Sequence, residues 1–597
     1  MSNSSDTPPY QNAGLSIEDR VNDLLDRMTV DEKAALLFQD MVFMGKDGAL
    51  APAVPAFDMP SSVDLIHKKQ MTHFNLLGPI KDARAAARWH NNLQREARET
   101  RLGIPVTIST DPRNHFTDNV GTGFEAGIFS QWPESLGLAA LRSAELVEKF
   151  ADIARQEYLA VGLRVALHPQ VDLATEPRWA RLNAAFGEDA DLTSELVAAY
   201  IRGFQGGAIL GPQSVSTMTK HFPGGGPQKD GEDPHFTYGR EQVYPGNQFD
   251  YHLKPFKAAI AAGAAQMMPY YGMPVGTSYE EVGFAFNKAL ITGLLREELG
   301  FQGIICTDWG LVTDKAIMGQ PMPARAWGLE HLSRPARIQR IMEAGCDQLG
   351  GESCPELLSE LVTSGQVSEQ RLDQSVRRLL RAKFQLGLFD NPFVDEDAAE
   401  QIVGNEEFCK LGAEVQRRSY NLLTNKDNCL PLPHTRLQTA KLYLEGIPAE
   451  TVQKFGLQVV EDPADADVAL LRLKTPYEPR PGRFEALFHT GSLEFSEEKK
   501  AHHTKIFDAV PIVIVDIQAD RPPVVPEIIE RASAVFLSYG SHADAFLDVV
   551  LGKFEPEGRL PYDLPSSMEA VQQSRSDTPY DTRDPLFRFG HGLRYSA

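Results

Sequence analysis

A short apolar run ending in a carboxylate and a tryptophan stands at Gly303-Ile-Ile-Cys-Thr-Asp-Trp-Gly310. The isoleucine pair between flanking glycines predicts a buried strand, so that Asp308 comes just after a strand end. Four further apolar runs, each followed by a polar cluster and a helical stretch, occur upstream. They lie at residues 104–109, 163–167, 215–219 and 266–268.

Strands that alternate with helices over several hundred residues predict a mostly parallel sheet with helices packed outside it. The near-continuous apolarity of these strands agrees with burial on both faces. In a (β/α)8 barrel or an open doubly wound sheet, the ligand site lies at the carboxyl ends of the strands. Charged and aromatic residues stand there, namely Asp111, Lys220, His221, Tyr271, Asp308 and Trp309.

The chain of 597 residues is longer than one hydrophobic core supports, which predicts more than one domain. Residues 1–14 are predicted as a disordered tail, and helical spacing begins near residue 15. A basic amphipathic helix over 367–388 precedes a predicted linker, 396–404. A second, smaller α/β layered domain is predicted over 405–597, with strands at 441–444, 468–473, 512–516 and 534–539.

The composition is that of a soluble globular protein, with 42% hydrophobic and 23% charged residues. A formal charge of -22 disfavours binding to nucleic acid or to an anionic membrane. Five cysteines without CxxC spacing indicate neither a disulfide framework nor a zinc site. The polar start of the chain and the lack of a long apolar run favour a cytoplasmic location.

Four motifs in a fixed order resemble glycoside hydrolase family 3, and the resemblance runs from about residue 16 to 595. The resemblance implies a barrel over 15–395 followed by an α/β sandwich that contributes to the active site. The motifs are Arg101-Leu-Gly-Ile-Pro105 before Asp111, Glu176-Pro-Arg-Trp-Ala-Arg181, Lys220-His-Phe-Pro-Gly-Gly-Gly226, and Leu299-Gly-Phe-Gln-Gly303 running into Thr307-Asp-Trp309.

The resemblance implies a retaining exo-acting β-glycosidase in which Asp308 is the nucleophile. A carboxylate suits this role because it can attack the anomeric carbon and later leave, which divides the displacement into two easier steps. Trp309 offers an apolar face to a sugar ring. The substrate-binding residues that carry over from the family are Asp111, Arg178, Lys220, His221 and Tyr271.

A retaining enzyme also needs an acid/base group about 5 to 5.5 Å from the nucleophile. In two-domain relatives a glutamate of the second domain supplies it, and the matching region here is 477–495. We favour Glu485, with Glu478 and Glu494 behind it.

A rival for the acid/base role lies in the barrel, at Asp233-Pro-His235. In the N-acetylglucosaminidase branch of the family, an Asp-x-His pair supplies an acid/base histidine. This chain departs from that branch, since Pro234 replaces its usual serine and Gly225 replaces the histidine of its Lys-His-Phe-Pro-Gly-His-Gly run. His235 is therefore the second candidate, behind the glutamates.

The expected reaction releases one sugar at a time from the non-reducing end of a small oligosaccharide or β-glycoside. β-D-Glucose is the first expectation and β-xylose the second. No metal or organic cofactor is required by this chemistry. Two further classes are a phosphorylase with a histidine acid/base and an inert sugar-binding protein, and the presence of Asp308 disfavours the latter. The oligomeric state is left open, and a homodimer is one possibility.

Overall fold

Eight parallel strands form the first sheet of the computed structural model, which describes residues 8–595. Each strand is short, and most of their side chains are buried. In chain order the strands are β1 Phe38–Phe43, β2 His73–Leu77, β3 Thr107–Thr110, β4 Leu163–Ala166, β5 Ser216–Phe222, β6 Gln266–Pro269, β7 Ile304–Ile305 and β8 Leu349–Gly350.

The sheet closes on itself between β7 and β8. Its neighbours run in the order β8-β1-β2-β3-β4-β5-β6-β7, and a parallel bridge between Cys306 and Gln348 joins the two end strands. The Thr307 N–H donates to the Gln348 carbonyl at 2.9 Å, and the Asp347 N–H donates to the Ile305 carbonyl at 2.7 Å. The predicted (β/α)8 barrel is thereby confirmed.

Helices cover the outside of the barrel, most of them between consecutive strands. In the part of the chain that the structure describes, none has both the length and the apolar character that crossing a bilayer requires. A π-helix, Ala289–Glu298, precedes β7. The α-helices are Ile17–Arg27, Val30–Leu36, Ser62–His67, Ala83–Arg98, Ser135–Ala140, Ala144–Ala160, Ala190–Gln205, Phe249–Ala261, Arg334–Ala344, Pro355–Thr363, Glu369–Gln385, Glu396–Ile402 and Glu406–Arg418.

The second domain is built on a six-stranded sheet whose two faces each carry an apolar core. Along one strand Val513 and Val515 belong to one core while Ile514 belongs to the other, as expected for a sheet covered on both sides. The predicted layered α/β domain is confirmed. The strands are β9 Asn421–Asn425, β10 Lys441–Glu445, β11 Gln458–Val460, β12 Val468–Lys474, β13 Ile512–Gln518 and β14 Ala534–Ser538.

The strands of this sheet run in the order β9-β14-β13-β12-β10-β11, and the β9 edge strand alone is antiparallel to its neighbour. Four helices lie between these strands, in agreement with crossover connections between parallel neighbours, and two more follow the last strand. They are His434–Leu437, Ala449–Gln453, Glu497–Ala509, Pro526–Arg531, Ala543–Val550 and Met568–Gln573.

The sequence pattern missed β1 and β2 because buried polar residues interrupt their apolar runs. Asp40 in β1 is fully buried and accepts hydrogen bonds from Lys315 Nζ, while Asn75 in β2 donates to Asp111. Strands of this kind lack the apolar run on which a strand prediction depends. The capping box at Thr29 and Glu32 formed as its sequence spacing predicts.

The predicted tail and linker need correction. Residues 1–7 lie outside the described residues, but residues 8–14 are ordered rather than disordered, because Tyr10 is buried and its hydroxyl donates to the Leu102 carbonyl at 3.0 Å. The predicted linker, 396–404, contains helix Glu396–Ile402, and Glu396 pairs with Arg88 of the barrel at 3.1 Å. The position of the domain junction itself stays a prediction.

The second domain is fastened to the barrel rim by buried polar contacts. Glu188 of the barrel accepts hydrogen bonds from the N–H groups of Asp563 and Tyr580, at 2.5 and 2.8 Å. Arg521 of the second domain is fully buried, and it donates to the carbonyls of Arg178 and Pro476 at 3.1 and 2.6 Å. Buried donors and acceptors that are paired in this way hold the surfaces of the two domains in a fixed relative position.

We expect the stability of the barrel to fall as the pH falls below about 6.5, in part through His90. Its ring is buried, contacts the Pro392 carbonyl at 2.9 Å, and has its pKa lowered by burial to about 4. The unfolded chain therefore takes up a proton before the folded chain does, which costs about 2 to 3 kcal/mol between pH 7 and 4.5. Urea denaturation at both pH values should show a smaller loss for His90→Gln than for wild type. Equal losses in the two proteins would contradict the assignment.

Candidate active site

A pocket of about 830 Å³ opens at the carboxyl ends of the barrel strands, and Phe484 of the second domain forms part of its wall. This is the edge of the sheet at which the sequence predicts a site. Most of the polar residues of the wall are buried, and Thr313 and Lys315 are half-buried. The buried ones are Asn75, Asp111, Arg181, Lys220, His221, His235, Tyr271, Asp308 and Arg325.

Asp308 presents one free carboxylate oxygen in this pocket. Its Oδ1 accepts the N–H of Trp309 at 2.8 Å, while its Oδ2 has no hydrogen-bond partner among residues 8–595. The nearest basic nitrogen is His221 Nε2, 3.9 Å from Oδ2. The side chain is only 7% exposed, so this oxygen is both desolvated and without a donor. A carboxylate in this state is a good nucleophile or hydrogen-bond acceptor.

Lys220 and Asp111 form a buried ion pair on the wall of the pocket. Lys220 Nζ donates to Asp111 Oδ1 at 3.0 Å, and Asn75 Nδ2 approaches Asp111 Oδ2 at 3.4 Å. The pair offers two further ammonium donors and further carboxylate lone pairs. Such a set can bind adjacent hydroxyl groups, one as donor and one as acceptor. The structure thus brings both predicted residues to the pocket that holds Asp308.

His221 lies in a chain of hydrogen bonds that determines its tautomer. Arg181 Nη1 donates to His221 Nε2 at 3.0 Å, so the ring proton lies on Nδ1 and is donated to Asp172 Oδ2 at 2.7 Å. Burial, together with the Arg181 and Lys220 cations, holds the pKa of His221 well below its usual range. In this arrangement Nε2 accepts the hydrogen bond from Arg181 and holds that guanidinium in place, and the predicted contact of His221 with a ligand stays a prediction.

The predicted binding residue Arg178 lies outside the pocket. Glu176 holds its guanidinium through two hydrogen bonds, Nε to Oε1 at 2.8 Å and Nη2 to Oε2 at 2.9 Å. Arg181, three residues later, lines the pocket instead. The motif Glu176-Pro-Arg-Trp-Ala-Arg181 contains a signal for this assignment, since a glutamate two positions before the first arginine supplies that arginine with a local partner.

His235 lines the pocket and is oriented by Asp233. Its Nδ1 lies 2.6 Å from Asp233 Oδ1, and Trp179 Nε1 donates to Asp233 Oδ2 at 3.0 Å. The His235 ring lies 4.8 Å from that of Tyr271. Burial lowers the pKa of His235 even though Asp233 opposes the shift. The arrangement leaves Nε2 as the ring nitrogen available for proton transfer.

The three candidate glutamates of the second domain do not line the pocket. Glu485 Oε1 accepts a hydrogen bond from the Tyr238 hydroxyl at 2.8 Å, although its neighbour Phe484 does reach the pocket. Glu478 is exposed in a segment whose backbone pairs with Thr490. The third, Glu494, lies 3.5 Å from Lys500.

Trp309 and Tyr271 are fixed in the pocket wall by one hydrogen-bonded unit. The Tyr271 hydroxyl donates to the Trp309 carbonyl at 3.0 Å and accepts the Trp309 N–H at 3.1 Å. A Cβ on Gly350 would lie 2.6 Å from the Trp309 ring, so only glycine lets the indole pack flat on β8. Arg325, which sequence reasoning missed, donates to the same Trp309 carbonyl at 3.1 Å.

The two domains match two family models. The model described as "Glycosyl hydrolase family 3 N terminal domain" matches residues 30–382, and "Glycosyl hydrolase family 3 C-terminal domain" matches residues 437–595.

Known proteins resemble the chain over nearly its whole length. A protein named probable beta-glucosidase C, from Aspergillus flavus, is 58% identical over 99% of this chain and 92% of its own. Beta-glucosidase C of Emericella nidulans is 57% identical over 98% of this chain and 94% of its own. The periplasmic beta-glucosidase/beta-xylosidase of Dickeya chrysanthemi is 39% identical over 98% of this chain and 91% of its own.

Solved structures share the fold. A mutant of the exo-1,3/1,4-beta-glucanase of a Pseudoalteromonas species superimposes with a TM-score of 0.77 at 22% identity, over 99% of this chain and 97% of its own. The beta-glucosidase of Listeria innocua, solved in complex with isofagomine, superimposes with a TM-score of 0.75 at 23% identity. The match covers 97% of this chain and 83% of that protein's own.

The neutral tautomer of His221 can be tested by NMR of labelled histidine, assigned through the His221→Gln variant. We expect the wild-type ring to stay neutral, with the proton on Nδ1, when the pH falls through about 6.5, the ordinary pKa of histidine, because burial and two cations lower the pKa of His221. Arg181→Met should raise the pKa toward the ordinary value of about 6.5, because the opposing cation is lost while Asp172 remains. Protonation of wild-type His221 near its ordinary pKa would contradict the hydrogen-bond chain.

Proposed function

The chain belongs to glycoside hydrolase family 3, and from this premise we propose that it is a retaining exo-acting β-glucosidase with Asp308 as its nucleophile. The single observation that carries the proposal is the free Oδ2 of Asp308 in a buried polar pocket at the strand ends. The nearest basic nitrogen, His221 Nε2, lies 3.9 Å from this oxygen and does not donate to it, so the anomeric carbon of a bound sugar can approach the oxygen. The reaction needs no group beyond those side chains.

In the proposed mechanism Asp308 Oδ2 attacks the anomeric carbon while a proton is delivered to the leaving oxygen. The bond from that carbon to the aglycone breaks, and a covalent glycosyl–Asp308 ester forms. Water, deprotonated by the group that gave the proton, then attacks the same carbon and releases the sugar with retained configuration. Lys220, Asp111 and Arg181 are positioned to bind the sugar hydroxyls throughout.

For the proton donor we propose His235 in place of Glu485. His235 supports this role because it lines the pocket that contains Asp308 and because Asp233 orients its ring. Glu485 is outside that pocket and is hydrogen-bonded to Tyr238. A histidine with a lowered pKa is protonated to a greater extent as the pH falls, so activity limited by this donor should rise toward acid pH.

Glucose is the proposed sugar, and xylose is the second candidate. The relatives that are 57% and 58% identical are both named beta-glucosidases. Xylose remains a candidate because the relative from Dickeya chrysanthemi, at 39% identity, is named for both activities. The two sugars differ by one hydroxymethyl group, so the ratio of kcat/KM on the two aryl glycosides separates them.

Asp308→Ala should abolish hydrolysis of an aryl β-glucoside, β-xyloside and β-N-acetylglucosaminide, because no covalent intermediate can form. Wild type should hydrolyse the glucoside fastest and release β-glucose first, as read by proton NMR. Azide added to the variant should give the α-glucosyl azide, since an external nucleophile then displaces the aglycone once, with inversion. A variant that keeps appreciable activity without azide would exclude Asp308 as the nucleophile.

The proton donor can be identified from the way in which kcat/KM of each variant depends on the leaving group of the substrate. His235→Ala should lose about 10² to 10⁴ in kcat/KM on an alkyl β-glucoside, which needs protonation, and far less on a dinitrophenyl β-glucoside. Glu485→Ala, Glu478→Ala and Glu494→Ala form the matched set. A selective loss in one of the glutamate variants, with His235→Ala unaffected, would assign the role to that glutamate. Assays with and without inorganic phosphate would reveal a phosphorylase through formation of glucose 1-phosphate.

A further inference from the structure

The pocket changes from polar to apolar between its floor and its mouth. The polar side chains around Asp308 are all buried, and Lys220 and His221 are 4% and 1% exposed. Another part of the lining is hydrophobic, and four of its side chains are half-buried while Met322 and Phe484 are buried. We call these six residues the apolar ring: Met41, Phe57, Val120, Ile317, Met322 and Phe484.

Separate segments of the chain build the apolar ring. Met41 lies on β1, and Phe57 lies in the turn Pro55–Phe57. Ile317 and Met322 come from a two-stranded ribbon, which is fastened to that turn because the Gly319 N–H donates to the Ala56 carbonyl at 3.1 Å.

Two hydrophobic clusters meet at the mouth of the pocket. Val120 packs against both, one cluster containing Met322 and Phe484 and the other packing against Met41 and Phe57. A ring on which several independent segments converge, one of them from the second domain, is held in place from several sides.

Two polar side chains of the lining beside the apolar ring, Lys315 and Thr313, have partners within the protein, whereas the indole N–H of Trp309 has none among residues 8–595. Lys315 Nζ donates to both oxygens of Asp40, at 3.0 and 3.1 Å. Thr313 Oγ1 accepts a hydrogen bond from Arg334 Nε at 3.1 Å. A second sugar placed here would lose water from its hydroxyl groups and find few partners, which disfavours binding. An alkyl or aryl group would instead bury apolar surface.

We propose that the apolar ring is the aglycone-binding surface and selects β-glucosides of apolar alcohols, alkyl or aryl, over oligosaccharides. This inference rests on the proposed function, because it needs a sugar bound against Asp308 to place the aglycone at the mouth. It adds the class of leaving group that the site accepts. The aglycone extends from the scissile oxygen past Trp309 and packs among the side chains of the ring.

The magnitude of the effect follows from the area buried. Each methylene group that enters the ring should raise kcat/KM by about fourfold, which corresponds to about 0.8 kcal/mol. The increase should stop when the chain outgrows the ring. Alkoxide leaving groups of different chain length have similar reactivity. A dependence of kcat/KM on chain length therefore measures contact with the apolar ring and not the ease of breaking the glycosidic bond.

The test measures kcat/KM on methyl, butyl and hexyl β-D-glucosides below their micelle concentrations, and on cellobiose. Wild type should gain at least tenfold from methyl to butyl, and cellobiose should fall below the butyl compound. Ile317→Asn and Phe484→Ser should each reduce the slope of log kcat/KM against chain length. That slope does not depend on the fraction of folded enzyme, so a poorly folding variant is still informative.

Ile209→Asn is the matched control for Ile317→Asn. Ile209 is 80% exposed and lies in the loop between helix Ala190–Gln205 and β5, outside the lining of the pocket. Its variant should keep the wild-type slope. A flat dependence on chain length in wild type, or cellobiose as the best substrate, would overturn the inference. Failure to hydrolyse any of the glucosides would instead refute the proposed function.

Discussion

The barrel must close where the strand that carries Asp308 meets the last strand, and this closure determines the geometry of the site. The Thr307 N–H donates to the Gln348 carbonyl one residue before Asp308, so the carboxylate projects from a backbone held on both sides. Gly350 on the facing strand then lets Trp309 lie flat. A parallel barrel has no edge strands, and its carboxyl ends share one rim, so residues distant in sequence converge there. The pocket is a consequence of that closure.

Burial of charge is the second constraint. A charge removed from water needs a partner, and the pocket supplies one for almost every ionised group. Lys220 pairs with Asp111, and Asp172 accepts from neutral His221, which in turn accepts from Arg181. The exception is Asp308 Oδ2, which has no partner among residues 8–595. Arg181 Nε also lacks a partner there, so Asp308 Oδ2 is the free carboxylate oxygen of this network and the one that can bond to an electrophilic carbon.

Among residues 8–595, the second domain contributes an apolar side chain, and no charged one, to the lining of the pocket. Phe484 enters the pocket wall, whereas the carboxylate beside it turns to Tyr238. The contact is reinforced by an ion pair between Arg480 and Glu232 of the barrel. Phe236 of the barrel also makes a tilted ring contact with Phe484 and an edge-to-face contact with Phe488. The sequence predicts the proton donor on the loop that contains Phe484. In the structure this loop forms the apolar part of the pocket wall together with the ribbon and β1.

The sequence by itself determined the fold class, both domains and most of the residues that meet in the pocket. Periodicity and strand-end position are local properties, which is why Asp308, Lys220 and Asp111 could be selected from the pattern. Tertiary structure alone decided which neighbour each side chain takes. Arg181 of the pocket takes His221, forty residues later in the chain, and Tyr238 takes Glu485 of the second domain while His235 lines the wall. Such choices depend on distances between segments far apart in the chain, and no local pattern contains them.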